Sequence, residues 1–161
     1  MFKISAANLN DSCHYLRQAL KLARKAALNH EVPVGAVVVY GGKIVGRGWN
    51  QVETKKDASR HAEIIALRQA AKKLGRWRLT GCTVYVTLEP CAMCAGAMVL
   101  ARVDRLVYAA SDPKAGACGS VFNIVEDKRL NHRVVVDRGL LEKEASQMLK
   151  DFFKKRRLQN T

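Results

Sequence analysis

Two short motifs in this chain carry the ligands of a hydrolytic zinc centre, His61-Ala62-Glu63 and, further on, Pro90-Cys91-Ala92-Met93-Cys94. Catalytic zinc takes three protein ligands and keeps a fourth position for water, and two cysteines with one histidine form a known ligand set. His61, Cys91 and Cys94 are therefore the expected metal ligands, holding one zinc ion per chain. Glu63 is the expected catalytic residue, a proton carrier held beside the metal without binding it. A chain built this way must fold so that two distant segments meet.

The spacing within each motif says what those segments are. Pro90 suits the first position of a helix, where its missing N–H is not needed and its φ already fits. Cys91 and Cys94 then lie three apart on one helical face, near an N-terminus whose dipole favours thiolate. His61 and Glu63 are only two apart, which in a helix interior would send them to different sides. They belong at a helix start, since the apolar pattern Ile64, Leu67, Ala71, Leu74 begins just after them and Asp57 and Ser59 precede them as candidate caps. The competing readings are a structural zinc knuckle and a metal-free redox Cys-x-x-Cys pair. The first needs a fourth ligand; Cys13, Cys82, Cys118, His30 and His132 are available, but none forms a second paired spacing. The second leaves His61 and Glu63 without a purpose.

At 161 residues the chain has the size of one domain, expected over 1–161. Apolar residues at 48% and charged residues at 26% are ordinary for a globular protein. The charge balance is less so: 28 basic against 14 acidic residues give +14 and a pI near 9.9. Such a surface favours a polyanionic partner, most often nucleic acid, or is merely solvated. No segment reaches the roughly 20 apolar residues of a membrane span, and residues 1–10 lack the pattern of a signal peptide and are expected to be irregular. With five cysteines, two of them explained by zinc, a disulfide framework is not expected. A cytoplasmic protein that does not enter the membrane follows.

Asp11 to Asn29 reads as an amphipathic helix. Ala36 to Tyr40 and Lys43 to Trp49 read as strands joined by Gly41-Gly42, and Ala62 to Leu74 as a helix. Thr83 to Thr87 is a strand feeding the helix from Pro90 to about Ala101, and Arg105 to Ala109 another. Residues 111–132 read as a turn-rich loop, Arg133 to Asp137 as a fifth strand, and residues 140–157 as a closing helix with a basic, aromatic end. This order predicts an α/β protein: a mixed five-stranded sheet that opens with an antiparallel hairpin and carries helices on both faces.

The pattern His-x-Glu…Pro-Cys-x-x-Cys is an established signature of zinc nucleobase deaminases, tRNA adenosine deaminases among them, so these residues match a known motif whose spacing the arguments above explain. Further blocks narrow the match: Glu31-Val32-Pro33-Val34-Gly35-Ala36, Gly48-Trp49-Asn50, Thr87-Leu88-Glu89 leading into the Cys motif, Ala95-Gly96-Ala97-Met98, and Asp112-Pro113-Lys114-Ala115-Gly116-Ala117. In this order, over about Asp11 to Arg157, the chain resembles the bacterial tRNA-specific adenosine deaminases of the cytidine deaminase superfamily. The resemblance implies a three-layer α/β/α sandwich, a homodimer, and hydrolytic conversion of adenosine to inosine at the wobble position of a tRNA anticodon. Zinc-activated water would be the nucleophile, Glu63 the proton shuttle and ammonia the leaving group.

The same resemblance implies that Asn50 hydrogen-bonds the flipped nucleoside, that Pro33, Val34 and Leu88 wall the base pocket, and that Asp112 and Lys114 touch neighbouring nucleotides. Read alone, Asn50 is a turn residue, Pro33, Val34 and Leu88 are core residues, and Asp112 and Lys114 form a polar turn around Pro113. Phe152, Phe153 and Arg156 in the basic ending suit unstacked RNA, because aromatic faces stack bases while Lys and Arg meet phosphate; one of the two Phe is expected to anchor the helix instead. Arg60 departs from the family's small residue before the histidine, and Ser111 stands where a larger residue often touches RNA. The other function classes are a deaminase of a free base or nucleotide, of guanine or cytosine type, and a non-catalytic RNA-binding zinc protein. A small substrate needs neither the charge nor the aromatic tail, and a non-catalytic protein has no chemical need of Glu63.

Overall fold

In the computed structural model, which describes residues 6–161, five helices and five strands follow one another along the chain: α1 (Ala6–Leu28), β1 (Gly35–Tyr40), β2 (Lys43–Trp49), α2 (Val52–Lys55), α3 (Ala62–Leu74), β3 (Thr83–Leu88), α4 (Ala92–Leu100), β4 (Arg105–Ala110), β5 (Val135–Arg138) and α5 (Glu142–Gln159). The strands form one sheet in the order β2-β1-β3-β4-β5. β1 is antiparallel to both β2 and β3, whereas β3, β4 and β5 run parallel. The expected mixed sheet with an opening hairpin is therefore present. β3 crosses over to β4 through α4, whereas β4 reaches its parallel neighbour β5 through residues 111–134, which hold no helix.

The period-2 alternation of the strands sorts their side chains into two cores. Ala36, Val38, Val84, Val86, Leu106 and Tyr108 face one way and pack with Ala62, Ala66 and Leu67 of α3 and Ala95 and Met98 of α4. Val37, Val39, Tyr85, Val107 and Ala109 face the other way, against Leu16 and Leu20 of α1 and Ala145 of α5. Three layers result, the α/β/α sandwich of the cytidine deaminase-like fold. The sheet can be covered on both sides because its central strands are nearly continuous apolar runs.

Four expectations are corrected. α1 begins at Ala6, so residues 6–10 are helical where an irregular segment was expected, and residues 1–5 lie outside the described residues. α2, a single turn, was not anticipated; its sequence has no apolar periodicity, and it is held by a distant carboxylate described below. β5 starts two residues later than expected. Finally, Pro90 precedes the second zinc-motif helix rather than opening it, because Cys91 is the N-cap of α4. Cys91 and Cys94 are thus N-cap and third helical residue.

Candidate active site and metal centre

The two motifs meet because β3 delivers Cys91 beside the first turn of α3. His61 is the N-cap of α3 and Cys91 the N-cap of α4, both with extended backbone and neither making a side-chain capping bond. N-cap side chains usually accept a bond from the helix; here both stay free to ligate. Asp57 and Ser59, the candidate caps, bond to each other instead, the Ser59 Oγ donating to Asp57 at 2.7 Å. Capping of α3 comes from Asn50, whose side-chain oxygen accepts the Ala62 N–H at 2.9 Å. Gly48, two residues earlier on β2, allows this closeness: a Cβ there would collide with the Ala62 carbonyl.

His61 Nδ1 lies 3.5 Å from the Cys91 Sγ and 3.6 Å from the Cys94 Sγ, and the three donor atoms lie within 4.8 Å of one another. Tetrahedral coordination with metal–sulfur bonds of about 2.3 Å and metal–nitrogen bonds of about 2.0–2.1 Å places sulfur and nitrogen donors about 3.6 Å apart. The residues fit. Among the described residues this is the one group of three or more His, Cys, Asp or Glu side chains that could hold a metal ion. A hydrogen bond from the Cys94 thiol, opposed by burial and helped by His61, holds Cys91 as thiolate, and that same bond pushes Cys94 up. Two thiols this close share one negative charge. A dication among the three donors would hold both as thiolates.

Glu63, in the first turn of α3, is 4% exposed, and burial pushes its carboxyl up to about 7. Its Oε2 is buried with no hydrogen-bond partner among the described residues. An unpaired buried oxygen is costly and needs a reason. Glu63 lines a cavity of about 310 Å³ whose walls also include His61, Cys91 and Asn50. With the Asn50 oxygen committed to Ala62, the amide orientation is fixed and its two N–H donors remain for whatever fills the cavity.

Of the other residues expected to bind substrate, Val34, Leu88 and Asp112 line this cavity. Pro33 does not: it is buried, and its neighbour Val32 takes the wall position. Lys114 is exposed outside the cavity. Its backbone N–H and that of Ala115 bond to the Asp112 carboxylate. Phe152 is half-buried and Phe153 exposed, and they pack edge to face. Neither reaches the cavity, nor does Arg156, but Arg156 pairs at 3.6 Å with Glu53, which lines it. The basic end of α5 is thereby brought to the cavity's edge. Arg60 bonds Gln51 at 2.8 Å and braces the segment carrying α2.

Sequence reasoning missed Glu31, Val52, Glu53, Glu89 and Ala115, which also line the cavity. Glu31 and Glu89 stand inside quoted motif blocks, yet buried carboxylates reveal themselves only once their partners are known. Burial would raise both, but hydrogen bonds from Thr54 and Glu53 to Glu31, and from Ser120, Asp112 and Cys118 to Glu89, outweigh it, so both stay ionised.

Residues 10–157 match the MafB19-like deaminase family. The chain is 48% identical over 143 residues to the tRNA-specific adenosine deaminase of Bacillus subtilis, covering 89% of each chain. It is 51% identical over 143 residues to the enzyme of the same name from Haemophilus influenzae, covering 88% of this chain and 83% of that one. A solved structure from a study of A-to-I editing by tRNA:A34 deaminases at the wobble position superposes with a TM-score of 0.82 at 43% identity, covering 84% of this chain and 99% of the other. The guanine deaminase of Nitrosomonas europaea is more distant, with a TM-score of 0.75 at 26% identity over 87% of this chain and 83% of its own. Fold, cavity and sequence agree, and the chain belongs to the tRNA-specific adenosine deaminase family.

Proposed function

We propose that this chain is a zinc-dependent hydrolytic deaminase, acting as a single domain, that converts adenosine to inosine at the wobble position of a tRNA anticodon. The observation that carries the reading is the meeting, in one cavity, of a Cys₂His donor set, an unpartnered buried carboxylate and an oriented amide. The zinc ion would serve as a Lewis acid that lowers the pKa of a water toward neutrality. Glu63 takes one proton from that water as its oxygen attacks C6 of the purine and delivers it to ring N1, then takes the second proton from the new C6 hydroxyl and delivers it to the departing amine. The C6–N6 bond breaks, water supplies the oxygen of inosine, and ammonia leaves. Asn50 donates from its amide to the nucleoside, while Val34, Leu88 and Val52 exclude water from the base.

A 310 Å³ cavity is at the small end of ligand pockets and admits one nucleoside, so an anticodon base would have to leave its stack to enter. Asp112 and Lys114 on one loop, and Phe152, Phe153 and Arg156 on α5, would meet the neighbouring nucleotides. The five cysteines are all unpaired and no described helix is long and apolar enough to cross a membrane. Unpaired cysteines suit work on tRNA in the reducing cytoplasm.

The test is incubation of zinc-loaded protein with a synthetic anticodon stem-loop bearing wobble adenosine, with guanine and cytosine as controls. Inosine is expected; deamination of guanine without inosine would overturn the substrate and favour the free-base reading. If the +14 charge serves RNA binding, stem-loop affinity falls with salt at a log-log slope of about −0.7 per phosphate contacted in single strands. Substituting Lys154, Lys155, Arg156 and Arg157 together with Ala should weaken binding and flatten that slope while zinc content is kept. An unchanged slope would mean that the exposed end of α5 is only solvated.

A homodimer completes the proposal. The outer face of α4 carries Met93, 39% exposed, and Leu100, 70% exposed, with Gly96 between them, where a Cβ would meet nothing within 4 Å. Ala95 is buried in the core, whereas Gly96 and Ala97 remain partly exposed. An apolar helical face with small residues at its centre suits close packing against a second copy. Sedimentation equilibrium at micromolar protein should give twice 17.9 kDa; a purely monomeric species would count against it.

A further inference from the structure

Two buried carboxylates in the cavity wall turn both of their oxygens toward the loops around it. Glu31, 1% exposed, accepts the Thr54 N–H at 2.6 Å, the Thr54 hydroxyl at 2.7 Å and the Glu53 N–H at 3.2 Å. Those donors belong to α2, so a residue ahead of β1 does for α2 what its own Gln51, which makes no side-chain capping bond, does not. Glu89, 2% exposed, accepts the Asp112 N–H at 2.9 Å, the Cys118 N–H at 3.0 Å, the Ser120 N–H at 3.0 Å and the Ser120 hydroxyl at 2.5 Å. Residues 112–120 thus wrap around a single carboxylate. They close on it so tightly that a Cβ at Gly116 would collide with the Glu89 carboxylate.

Both oxygens of each group are engaged by donors from the protein itself, three bonds at Glu31 and four at Glu89, which ties the carboxylates to the loops rather than to substrate. What each holds is a stretch of cavity rim. The Glu31-bound segment carries Val52 and Glu53, and through Glu53 reaches Arg156. The Glu89-bound segment carries Asp112 and Ala115, with Lys114 between them. Neither segment has the strand or helix ladder that would fix it otherwise: α2 is one turn, and residues 112–120 contain only an isolated bridge, Cys118 to Asn123. A charged acceptor that gathers three or four donors is stronger per bond than a neutral one and fixes geometry as well.

We propose that Glu31 and Glu89 are positioning residues that hold the two loops framing the cavity in the shape that receives the RNA, and that they set substrate KM rather than the chemical step. The proposal rests on the RNA deaminase reading above. It differs from a general stabilising role because each carboxylate governs its own loop and leaves the Glu63 and His61-Cys91-Cys94 cluster in place.

The test compares zinc-loaded wild type with Glu31→Gln and Glu89→Gln, and with the milder partner-side variants Thr54→Val and Ser120→Ala, which keep the buried carboxylates. Replacing a carboxylate by an amide turns one acceptor into a donor facing N–H groups. The Gln variants should therefore raise KM for the wobble-adenosine stem-loop about tenfold or more, the scale of a lost hydrogen bond to a charged group. kcat at saturation should stay within a few-fold and zinc at one per chain. Thr54→Val and Ser120→Ala should shift KM in the same direction by less, and they decide the matter if a Gln variant fails to fold. Hydrogen exchange supplies the readout that does not need turnover: amides of Glu53 and Thr54 should lose protection only in the Glu31 and Thr54 variants, and those of Asp112, Cys118 and Ser120 only in the Glu89 and Ser120 variants. Loss of protection with unchanged KM and unchanged stem-loop affinity would overturn the proposal, as would a fall in kcat with KM unchanged. A wild type that makes no inosine would instead fail the functional reading, and exchange with stem-loop binding would still decide the positioning role.

Discussion

Glu63→Gln is expected to keep zinc and stem-loop binding at wild-type levels while lowering deamination by about 10²–10⁴, the contribution of general acid–base help alone. Gln matches Glu in volume, so the buried site beside His61 stays filled, and the cluster of His61, Cys91 and Cys94 is untouched. What disappears is the ability to take a proton from water and return it to the ring and the leaving amine, because an amide does neither near neutral pH. Stability should hold or rise. A carboxylate that is 4% exposed and has one oxygen without a partner is a burden on the fold that its chemistry justifies, and functional sites commonly carry such a burden. Single-turnover deamination with elemental analysis on the same sample checks the rate and metal together, and a thermal melt checks the rest. Turnover near wild type would remove Glu63 from the mechanism and leave the buried charge unexplained.

The parts of this molecule legible in its sequence are those fixed by local chemistry. β2 and α3 fall where the periodicity and turn residues put them, and the His61/Glu63 spacing placed them at a helix start because two residues apart cannot share a helical face. The donor set could be read because zinc restricts both ligand type and number. The shape of the cavity could not. Asn50 reads as a turn residue until its oxygen is seen capping α3 across twelve positions, and Glu31 as one more acidic residue until α2 is seen hanging from it. Pro33 and Val32 are adjacent in an apolar run, and which of them faces the cavity depends on how the chain enters β1. Pro90 misled for a related reason: Pro is favoured at the first helical position, but Cys91 occupies the cap and the helix begins two residues onward, at Ala92. Long-range hydrogen bonds to buried side chains leave no periodic trace.

Substituting Cys94 by Ala is expected to give purified protein with far less than one zinc per chain and no measurable inosine. Cys94 is fully buried and its sulfur stands 3.6 Å from His61 Nδ1, so no water or neighbouring side chain can take its place as a ligand without reshaping the first turn of α4. Loss of a ligand should weaken binding by more than the roughly 10–100-fold that removal of a supporting hydrogen bond costs at metal sites. His61→Ala and Cys91→Ala should behave alike. Cys82→Ala and Cys118→Ala are the informative controls, since both thiols are buried, yet neither belongs to the cluster. They should lose some packing stability and keep the metal. Cys118 matters most, because its sulfur lies 3.9 Å from the Pro90 carbonyl, next to the ligand turn. If Cys118→Ala also strips the zinc, the site is a closed four-ligand structural centre with no position for water, and Glu63 has nothing to act on. If zinc stays in Cys118→Ala and leaves in Cys94→Ala, three ligands hold it. Chelation of the wild type should then abolish turnover and lower the melting temperature together, because a ligand that binds only the folded state stabilises it by mass action, and zinc added back should restore both.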